Sequence, residues 1–182
     1  MADGSTSPGA RSRVYPDWLR RDLRSDHAGE AGAVAIYRGI LAVSRNAEVR
    51  EFATRHLETE SRHLALMEQL VPDIDRSSLI AMWKPAGFLL GALPALFGAR
   101  AVYATIGAVE TFVDYHYQEQ LDRLEDSPEW AHLREQLAAC REDELEHRDE
   151  AYGHVRQGLL TRLWGAFIGA GSAAAVALAR RY

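Results

Sequence analysis

Cysteine is almost missing from this chain of 182 residues, which contains only Cys140. A single cysteine excludes an intramolecular disulfide, and it excludes zinc and rubredoxin-type iron sites built from several cysteines. Basic clusters are missing as well, and with a net charge of -5 nothing indicates a nucleic-acid partner. No glycine-rich dinucleotide fingerprint occurs, so we expect no Rossmann domain. Strand-like alternation of useful length is also absent, and the sequence therefore predicts an all-α fold.

A signal-peptide core is absent too, because no apolar stretch follows Arg11 and Arg13, and we expect no export. The first ten residues are rich in Gly, Ser and Pro, which predicts a flexible N-terminal arm over residues 1–16. Lysine occurs once, at Lys84, whereas arginine is abundant. This bias is typical of a GC-rich coding sequence and indicates a bacterial source.

Two copies of a Glu-x-x-His pattern are the most informative residues that are present. Because a helix turns once in 3.6 residues, the carboxylate and the imidazole of each copy project from one face. Each copy follows a helical stretch that carries a lone glutamate. Four glutamates and two histidines form the ligand set with which a four-helix bundle holds two metal ions in its interior. The six candidate metal ligands are Glu30, Glu60, His63, Glu110, Glu144 and His147.

The spacing of these residues predicts where the chain folds back. The midpoint between Glu30 and Glu60 falls at residue 45, beside Asn46, which is a plausible helix cap. The midpoint between Glu110 and Glu144 falls at residue 127, where Ser127 can cap a helix that starts with Pro128. If each hairpin folds at its midpoint, both of its ligand groups return to the same height.

Four helices follow from this pattern, over residues 17–45, 47–70, 100–125 and from 128 to about 157. We therefore predict a four-helix bundle over residues 17–158, with a crossover over residues 73–99 between its two hairpins. A further apolar helix is expected at the C-terminus, over residues 159–182. The two halves form a crude internal repeat, each with a lone glutamate followed by Glu-x-x-His.

The crossover is unexpectedly apolar for a connection exposed to water. Its run PAGFLLGALPALFGA, from Pro85, is shorter than the roughly 20 apolar residues that a membrane-spanning helix needs. We favour a segment that lies in the membrane interface, with Trp83 and Lys84 near the headgroups. The alternative is a buried crossover helix, packed on the bundle or in a dimer interface. The C-terminal stretch from Leu163 to Ala179 is marginal for spanning, and we expect it to join the same apolar surface, with Gly165 and Gly169 in close helix contacts.

The ligand types favour oxygen chemistry over hydrolysis. Carboxylates are hard oxygen ligands, and imidazole suits iron, zinc and copper. Two ferrous ions would neutralise the four glutamates, whereas a zinc hydrolase more often has a histidine-richer site. Without metal the four carboxylates would repel one another, so metal binding should stabilise the fold and release protons.

Several neighbours share a helix face with these candidates. Asp26 lies four residues before Glu30, and Asp114 lies four residues after Glu110, so either could orient a ligating imidazole or serve as an ordinary cap or surface residue. Tyr117 lies seven residues after Glu110, with His116 beside it. This pair could relay electrons or protons, although a tyrosine hydrogen-bonded in the core is the ordinary alternative.

Four sequence strings resemble the demethoxyubiquinone hydroxylases of ubiquinone biosynthesis. The strings are DHAGEAGA (26–33), ETESRH (58–63), AVETFVDYHY (108–117) and EDELEH (142–147). The resemblance extends from about Leu23 to the C-terminus. It implies a ferritin-like, membrane-associated fold in which the six candidates are the iron ligands and Glu60 and Glu144 bridge the two metals. The His116–Tyr117 pair matches a His-Tyr pair of that family, while Asp114 and Tyr115 depart from some members.

The resemblance also implies an activity and its partners. The family hydroxylates a ring carbon of a polyprenyl methoxybenzoquinol with dioxygen, at two iron ions that are ferrous when reduced. NADH or a quinol is the expected reductant, and a lipid-binding protein of the same pathway and a second copy of the chain are possible partners. We expect a peripheral protein on the cytoplasmic face of the bacterial inner membrane, or on the matrix side of the mitochondrial inner membrane if the source is eukaryotic.

Two other classes of function remain open from the sequence. The first is a ferritin-like iron-storage or rubrerythrin-like peroxide-handling protein, which a large hollow assembly would favour. The missing cysteines speak against a rubrerythrin-type electron module. The second is a lipid-binding scaffold without enzymatic activity, whose function would survive the loss of Glu144 and His147. Fold analogy alone does not separate these classes.

Overall fold

The computed structural model describes residues 15–182, so nearly all of the predicted arm over residues 1–16 lies outside the described residues. Within them the chain forms six α-helices and no strand, which confirms the predicted all-α, ferritin-like bundle. The helices are α1 (Asp17–Val43), α2 (Ala47–Leu70), α3 (Ile80–Leu96), α4 (Ala99–Leu124), α5 (Ala131–Gly153) and α6 (Leu159–Ala179). Helices α1, α2, α4 and α5 form the bundle, and the apolar helices α3 and α6 are added to it.

The first hairpin turns where the spacing predicts. α1 ends at Val43, and Asn46 precedes α2 in an extended backbone conformation. The side-chain carbonyl of Asn46 accepts a hydrogen bond of 3.0 Å from the backbone N–H of Val49. This bond satisfies one of the free amides at the start of α2 and is typical of an N-cap.

The second hairpin also turns at the predicted place, but by a different device. Ser127 makes no side-chain capping bond; its backbone carbonyl accepts from the N–H of Trp130 at 2.9 Å instead. That bond closes a 3-10 turn over Pro128–Trp130, in which Pro128 occupies the first turn as expected. The predicted cap at Ser127 is therefore wrong, and α5 begins only at Ala131. It ends at Gly153, before the predicted end at Gln157.

The crossover contains a helix, α3, in which Pro85 and Pro94 lie inside the helical span. One face of α3 packs against α1 at very short range. A Cβ at Gly91 would collide with the carbonyl oxygen of Ile36, and one at Gly87 would lie 2.5 Å from that of Gly32. The opposite face of α3 leaves large apolar side chains exposed, among them Leu89, Leu93, Leu96 and Phe97. The crossover thus packs on the bundle with one face and leaves the other uncovered.

The C-terminal helix α6 is fastened to the bundle near both ends. The indole N–H of Trp164 donates to the hydroxyl of Thr105 on α4 at 3.0 Å, and Arg180 forms an ion pair of 2.9 Å with buried Asp22 on α1. Gly165 faces Ala108 of α4, but a Cβ at Gly169 would meet no atom within 4 Å, so the close contact predicted there is wrong. Among the described residues, α6 is the one helix whose length and apolar composition would allow it to cross a membrane.

Two apolar layers enclose a polar layer in the middle of the bundle. On one side lies a cluster that includes Phe52, Ile40 and Ile106, and on the other a cluster that includes Leu23 and Leu133. Burying each such side chain stabilises the fold by roughly 1.5–3 kcal/mol. The sequence positions of the six candidate ligands fall between these two clusters on every bundle helix.

Candidate metal centre

All six candidate residues meet in the polar layer, where they form two overlapping groups. In each group the potential ligand atoms of the four residues lie within 4.8 Å of one another. Glu60 and Glu144 belong to both groups, and every member is buried. The first group is Glu30, Glu60, His63 and Glu144; the second is Glu60, Glu110, Glu144 and His147.

The two Glu-x-x-His pairs interlock across the bundle. Nδ1 of His63, on α2, lies 3.0 Å from Oε1 of Glu144, on α5. In the reverse direction, Nδ1 of His147, on α5, lies 3.1 Å from Oε1 of Glu60, on α2. Both imidazoles therefore turn Nδ1 toward the shared centre. The i, i+3 spacing on each helix produces this, because it places both groups of a pair on the inner face.

Burial makes the carboxylates costly to ionise. Burial raises the pKa of Glu30 and Glu110 well above the ordinary value, and the nearby charges of Glu60 and Glu144 raise both pKa values further. The pKa of Glu60 is raised for the same reasons, first by burial and then by Glu144. Four carboxylates this close together need positive charge among them.

The two histidines provide that charge in the metal-free chain. Burial alone would raise the pKa of Glu144, but the nearby imidazoles of His147 and His63 outweigh it and lower the pKa to about 2. Burial alone would likewise lower the histidine values, but the surrounding carboxylates raise the pKa of His63 to about 10 and that of His147 to about 9. Both imidazoles are therefore protonated at neutral pH, and their positive charges balance part of the carboxylate charge.

The donor set fits a pair of metal ions. Both oxygens of Glu60, Oε2 of Glu144 and Nδ1 of His147 are buried without a hydrogen-bond partner. His147 lies at ion-pair distance from Glu60 but without hydrogen-bond alignment. Buried polar atoms without partners are destabilising. Two cations held between Glu60 and Glu144 would provide the missing partners, and carboxylate oxygens with imidazole nitrogens are suitable ligands for iron.

Two buried tyrosines hydrogen-bond the lone glutamates. The hydroxyl of Tyr117 donates to Oε1 of Glu30 at 2.5 Å, and that of Tyr37 donates to Oε1 of Glu110 at 3.2 Å. Each tyrosine lies seven residues after the lone glutamate of its own helix and contacts that of the other hairpin. Tyr117 is a candidate predicted from the sequence and Tyr37 is not, although Tyr37 follows Glu30 at the same spacing of seven residues.

His116 lies beside the cluster, not in it. Its Nε2 is 2.9 Å from Oδ1 of Asp26, and the side-chain amide of Gln120 donates to the same oxygen at 2.7 Å. The hydroxyl of Ser25 lies 3.2 Å from Nε2 of His116. Asp26 therefore holds His116 and Gln120, and it does not orient either of the candidate histidine ligands.

Asp114 does not orient a candidate ligand either. It forms ion pairs with Arg141 at 2.7 Å and with Arg148 at 2.9 Å, and so ties α4 to α5. The residue that contacts an imidazole from outside is Asp143, whose Oδ2 lies 3.0 Å from Nε2 of His63. Asp143 is not among the candidates predicted from the sequence, although it directly precedes Glu144.

The outer side of the His147 ring contacts another histidine, whereas that of His63 contacts Asp143. The ring of His56 packs against the ring of His147 at a centroid distance of 4.0 Å, and Nε2 of His56 lies 2.9 Å from Glu150. Burial first, and then the charge of His147, lower the pKa of His56 to about 4. His56 is therefore neutral at ordinary pH, and it is not among the candidates predicted from the sequence.

A cavity of about 340 Å³ connects this centre with the apolar helices. The four glutamates and His116 line it, and so do Gly29 and Gly32 of α1. Trp83 and Leu90 of α3 and Phe167 of α6 line it as well. Because Phe167 is 67% exposed, the cavity reaches the surface beside the uncovered apolar faces.

Comparison with known proteins identifies the family. The family model described as "Ubiquinone biosynthesis protein COQ7" matches residues 17–179. The chain is 40% identical over 167 residues to the 3-demethoxyubiquinol 3-hydroxylase of Rhodospirillum rubrum, covering 90% of this chain and 78% of that protein. It is 34% identical over 169 residues to the mitochondrial NADPH-dependent 3-demethoxyubiquinone 3-hydroxylase of Rattus norvegicus, covering 88% and 76%. A 3-demethoxyubiquinol 3-hydroxylase of Ralstonia pickettii is 29% identical over 152 residues, covering 82% and 68%. The chain belongs to the family of the ubiquinone biosynthesis protein COQ7.

Proposed function

We propose that this chain is a dioxygen-dependent hydroxylase of ubiquinone biosynthesis that acts on the ring of a polyprenyl demethoxyubiquinol and yields the demethylubiquinol. The observation that carries this proposal is the cavity that joins a buried carboxylate and histidine cluster to an apolar surface. Such a cavity suits a substrate with a small polar ring and a long apolar tail. The names of the relatives agree with this activity.

The cluster would hold two iron ions in two positions that share ligands. Glu60 and Glu144 are common to both positions, Glu30 and His63 complete the first, and Glu110 and His147 complete the second. When bound, the iron supplies the redox chemistry by which one oxygen atom of dioxygen enters the ring and the other leaves as water. This balance requires two electrons and two protons in each turnover.

The chain's own residues orient the ring and exclude water. The apolar walls of the cavity hold the tail between α3 and α6, so that only the ring reaches the glutamates. His116 lines the same cavity, and its contact with Asp26 fixes the direction of its imidazole. We assign His116 the role of holding or moving a proton at a ring hydroxyl. We assign Tyr117 to the same relay, because its hydroxyl contacts Glu30.

The reductant is a reduced nicotinamide or the quinol itself. NADH or a quinol is the sequence-based expectation, and the mitochondrial relatives are named as NADPH-dependent. Residues 15–182 contain no β-sheet, so a nicotinamide would have to bind outside a Rossmann fold. Its electrons would enter at the same cluster.

The exposed faces of α3 and α6 would place the chain on a membrane. Leu93, Leu96, Leu163 and Phe167 are exposed around the cavity-bearing side, and a surface this apolar marks an interaction site. Because α6 is fastened to α4 and α1 near its two ends, we favour a helix that lies in the interface over one that spans the bilayer. The bundle, residues 17–158, and the C-terminal helix, residues 159–182, then act as one unit.

The proposed location and partners are those that the family resemblance implies. We place the protein on the cytoplasmic face of the bacterial inner membrane, or on the matrix side of the mitochondrial inner membrane for a eukaryotic source. There it can take its quinol directly from the bilayer. A lipid-binding protein of the same pathway and a second copy of the chain are the proposed partners.

Deletion and complementation in the source organism test this function. Cells without the protein should lose ubiquinone and accumulate demethoxyubiquinone, and the wild-type chain should restore ubiquinone. Glu144→Ala and His147→Ala should not restore it, and immunoblots report how much of each variant is present. Accumulation of a different intermediate would contradict the proposed step, and rescue by both variants would indicate a scaffold.

A further inference from the structure

The two proposed metal positions, one at Glu30 and His63 and the other at Glu110 and His147, have similar contacts. They differ in the residue that precedes the Glu-x-x-His of the opposite helix. At both positions a tyrosine hydroxyl donates to a lone glutamate, and a histidine turns Nδ1 toward the centre. The residue before Glu144 is Asp143, whereas the residue before Glu60 is Thr59. This difference changes the outer contact of only one imidazole.

At the first metal position, that of Glu30 and His63, Asp143 accepts a hydrogen bond from His63. The distance from Nε2 to Oδ2 is 3.0 Å, and the carboxylate is 41% exposed. A carboxylate in this place fixes the ring, keeps Nδ1 free for a metal and raises the electron density on that nitrogen. It also adds one negative charge next to the first metal position.

At the second metal position, that of Glu110 and His147, no described residue places a carboxylate on the outer nitrogen of His147 as Asp143 does for His63. Thr59 accepts from the guanidinium of Arg62 at 3.0 Å, and so it is directed along its own helix. The ring of His147 instead packs against the ring of His56, at a centroid distance of 4.0 Å. His56 lies four residues before Glu60. The residue at the same distance before Glu144 is Cys140.

The tyrosine contacts do not cancel this difference. Tyr117 is closer to Glu30, at 2.5 Å, than Tyr37 is to Glu110, at 3.2 Å, so it withdraws more electron density from the first position. A phenol is neutral, however, whereas Asp143 carries a full charge and contacts a ligand that donates through nitrogen. The carboxylate is therefore the larger effect.

We propose that the two metal positions are unequal, and that the position at His63 binds its ion first and more tightly because Asp143 supports that histidine. This inference rests on the proposed two-metal centre. The loss of such an outer contact typically weakens metal binding 10–100-fold, and we expect about tenfold because Asp143 is partly exposed.

Calorimetric titration of the metal-free, full-length protein with Co²⁺ tests the proposal, with bound cobalt counted by elemental analysis. The wild-type protein should bind two equivalents in two resolved steps. Asp143→Asn should weaken the tighter step about tenfold and leave the weaker step unchanged. Glu142→Gln is the matched control, because it removes an equal charge from the neighbouring exposed residue and should change neither step. Thr59→Asp should strengthen the weaker step.

Two results would overturn the inference: two equivalents in a single unresolved step, or equal weakening of both steps by Asp143→Asn. Thermal unfolding of the metal-free variants shows whether Asp143→Asn is folded; if it is not, Thr59→Asp decides. Binding of fewer than two equivalents would contradict the two-metal centre itself. Two unequal steps in a protein that hydroxylates no quinol would contradict the proposed function and leave this inference standing.

Discussion

The bundle helices and the two added helices pack by opposite rules. In the bundle, charged side chains such as Glu60 and Glu144 are buried in the middle and apolar side chains enclose them. In α3 and α6, small residues such as Gly91 face the bundle, while large apolar residues such as Leu93 face outward. Neither arrangement is favourable in water alone, because the bundle buries charged groups and the added helices expose a large apolar surface. Under the proposed function, cations would stabilise the bundle and a membrane would cover the added helices.

The largest expected effect is on the bundle, in Glu144→Ala. Glu144 lies 3.0 Å from His63 and 3.4 Å from His147, so its removal takes a nearby carboxylate from both buried imidazolium groups. We expect a loss of about 3–5 kcal/mol in the free energy of unfolding of the metal-free protein. Urea denaturation measures it, and Glu146→Ala, an exposed residue of the same helix, is the control. A loss as small as that of the control would contradict the ion-pair account of the centre.

The next effect concerns the added helices. In the double variant Leu93→Glu/Leu96→Glu, two charges replace side chains that are 52% and 67% exposed. Burial of such side chains contributes roughly 1.5–3 kcal/mol each, so binding to phosphatidylethanolamine–phosphatidylglycerol vesicles should weaken at least about tenfold. Tyr115→Glu changes an exposed residue of α4, near exposed Glu119, and should bind as the wild type does. Flotation assays measure this. Undiminished binding of the double variant would move the membrane contact to another face.

The pH dependence of stability should separate the metal-free from the metal-loaded bundle. The folded-state pKa values of Glu30 and Glu110 are raised, first by burial, so the folded chain holds more protons than the unfolded chain above about pH 4.5. The pKa values of His63 and His147 are raised to about 10 and about 9, and their stabilising contribution is complete below pH 6.5 and lost as the pH rises through those values.

All four groups therefore have the same sign, and the free energy of unfolding of the metal-free protein should fall from pH 6 to pH 9. The expected slope is about 1.4 kcal/mol per pH unit for each proton held only by the folded state. The metal-loaded protein should show little of this fall, since metal replaces the protons. Denaturation at several pH values measures both forms. Parallel curves would show that protons and metal do not compete for the centre.

The smallest expected effects test the packing of α3. Gly91→Ala places a methyl group against the carbonyl of Ile36 and should destabilise the fold by about 1–3 kcal/mol. Gly169→Ala, in α6, meets no neighbour within 4 Å and should instead stabilise it by up to about 1 kcal/mol through helix propensity. Thermal unfolding under identical conditions compares the two. Equal shifts would mean that α3 does not lie close to α1.

Much of this arrangement could be predicted from the sequence, because helical periodicity is a local property. Glu60 with His63 and Glu144 with His147 repeat at a helical spacing, and their distances from Glu30 and Glu110 located both turns. The spacing of three residues determines which face a side chain occupies. It thereby determines which side chains can meet in a bundle.

The contacts between helices could not be predicted in the same way. Asp26 and Asp114 share a face with candidate ligands, yet they bind His116 and two arginines, whereas Asp143 reaches His63 from a different helix. Which residue of a partner helix is opposite depends on the rotation and height of that helix. Ser127 shows a similar limit, since a backbone bond replaced its side-chain cap.

The most direct test of the central claim is a hydroxylation assay in vesicles. The protein, loaded with iron and embedded with demethoxyubiquinol, is given isotopically labelled dioxygen and reduced nicotinamide, and the quinol is analysed by mass spectrometry. We predict a product that carries one labelled oxygen atom on the ring, formed by the wild-type protein and not by Glu144→Ala. Unchanged quinol from protein that holds two equivalents of iron, or oxygen incorporated from water, would contradict the account.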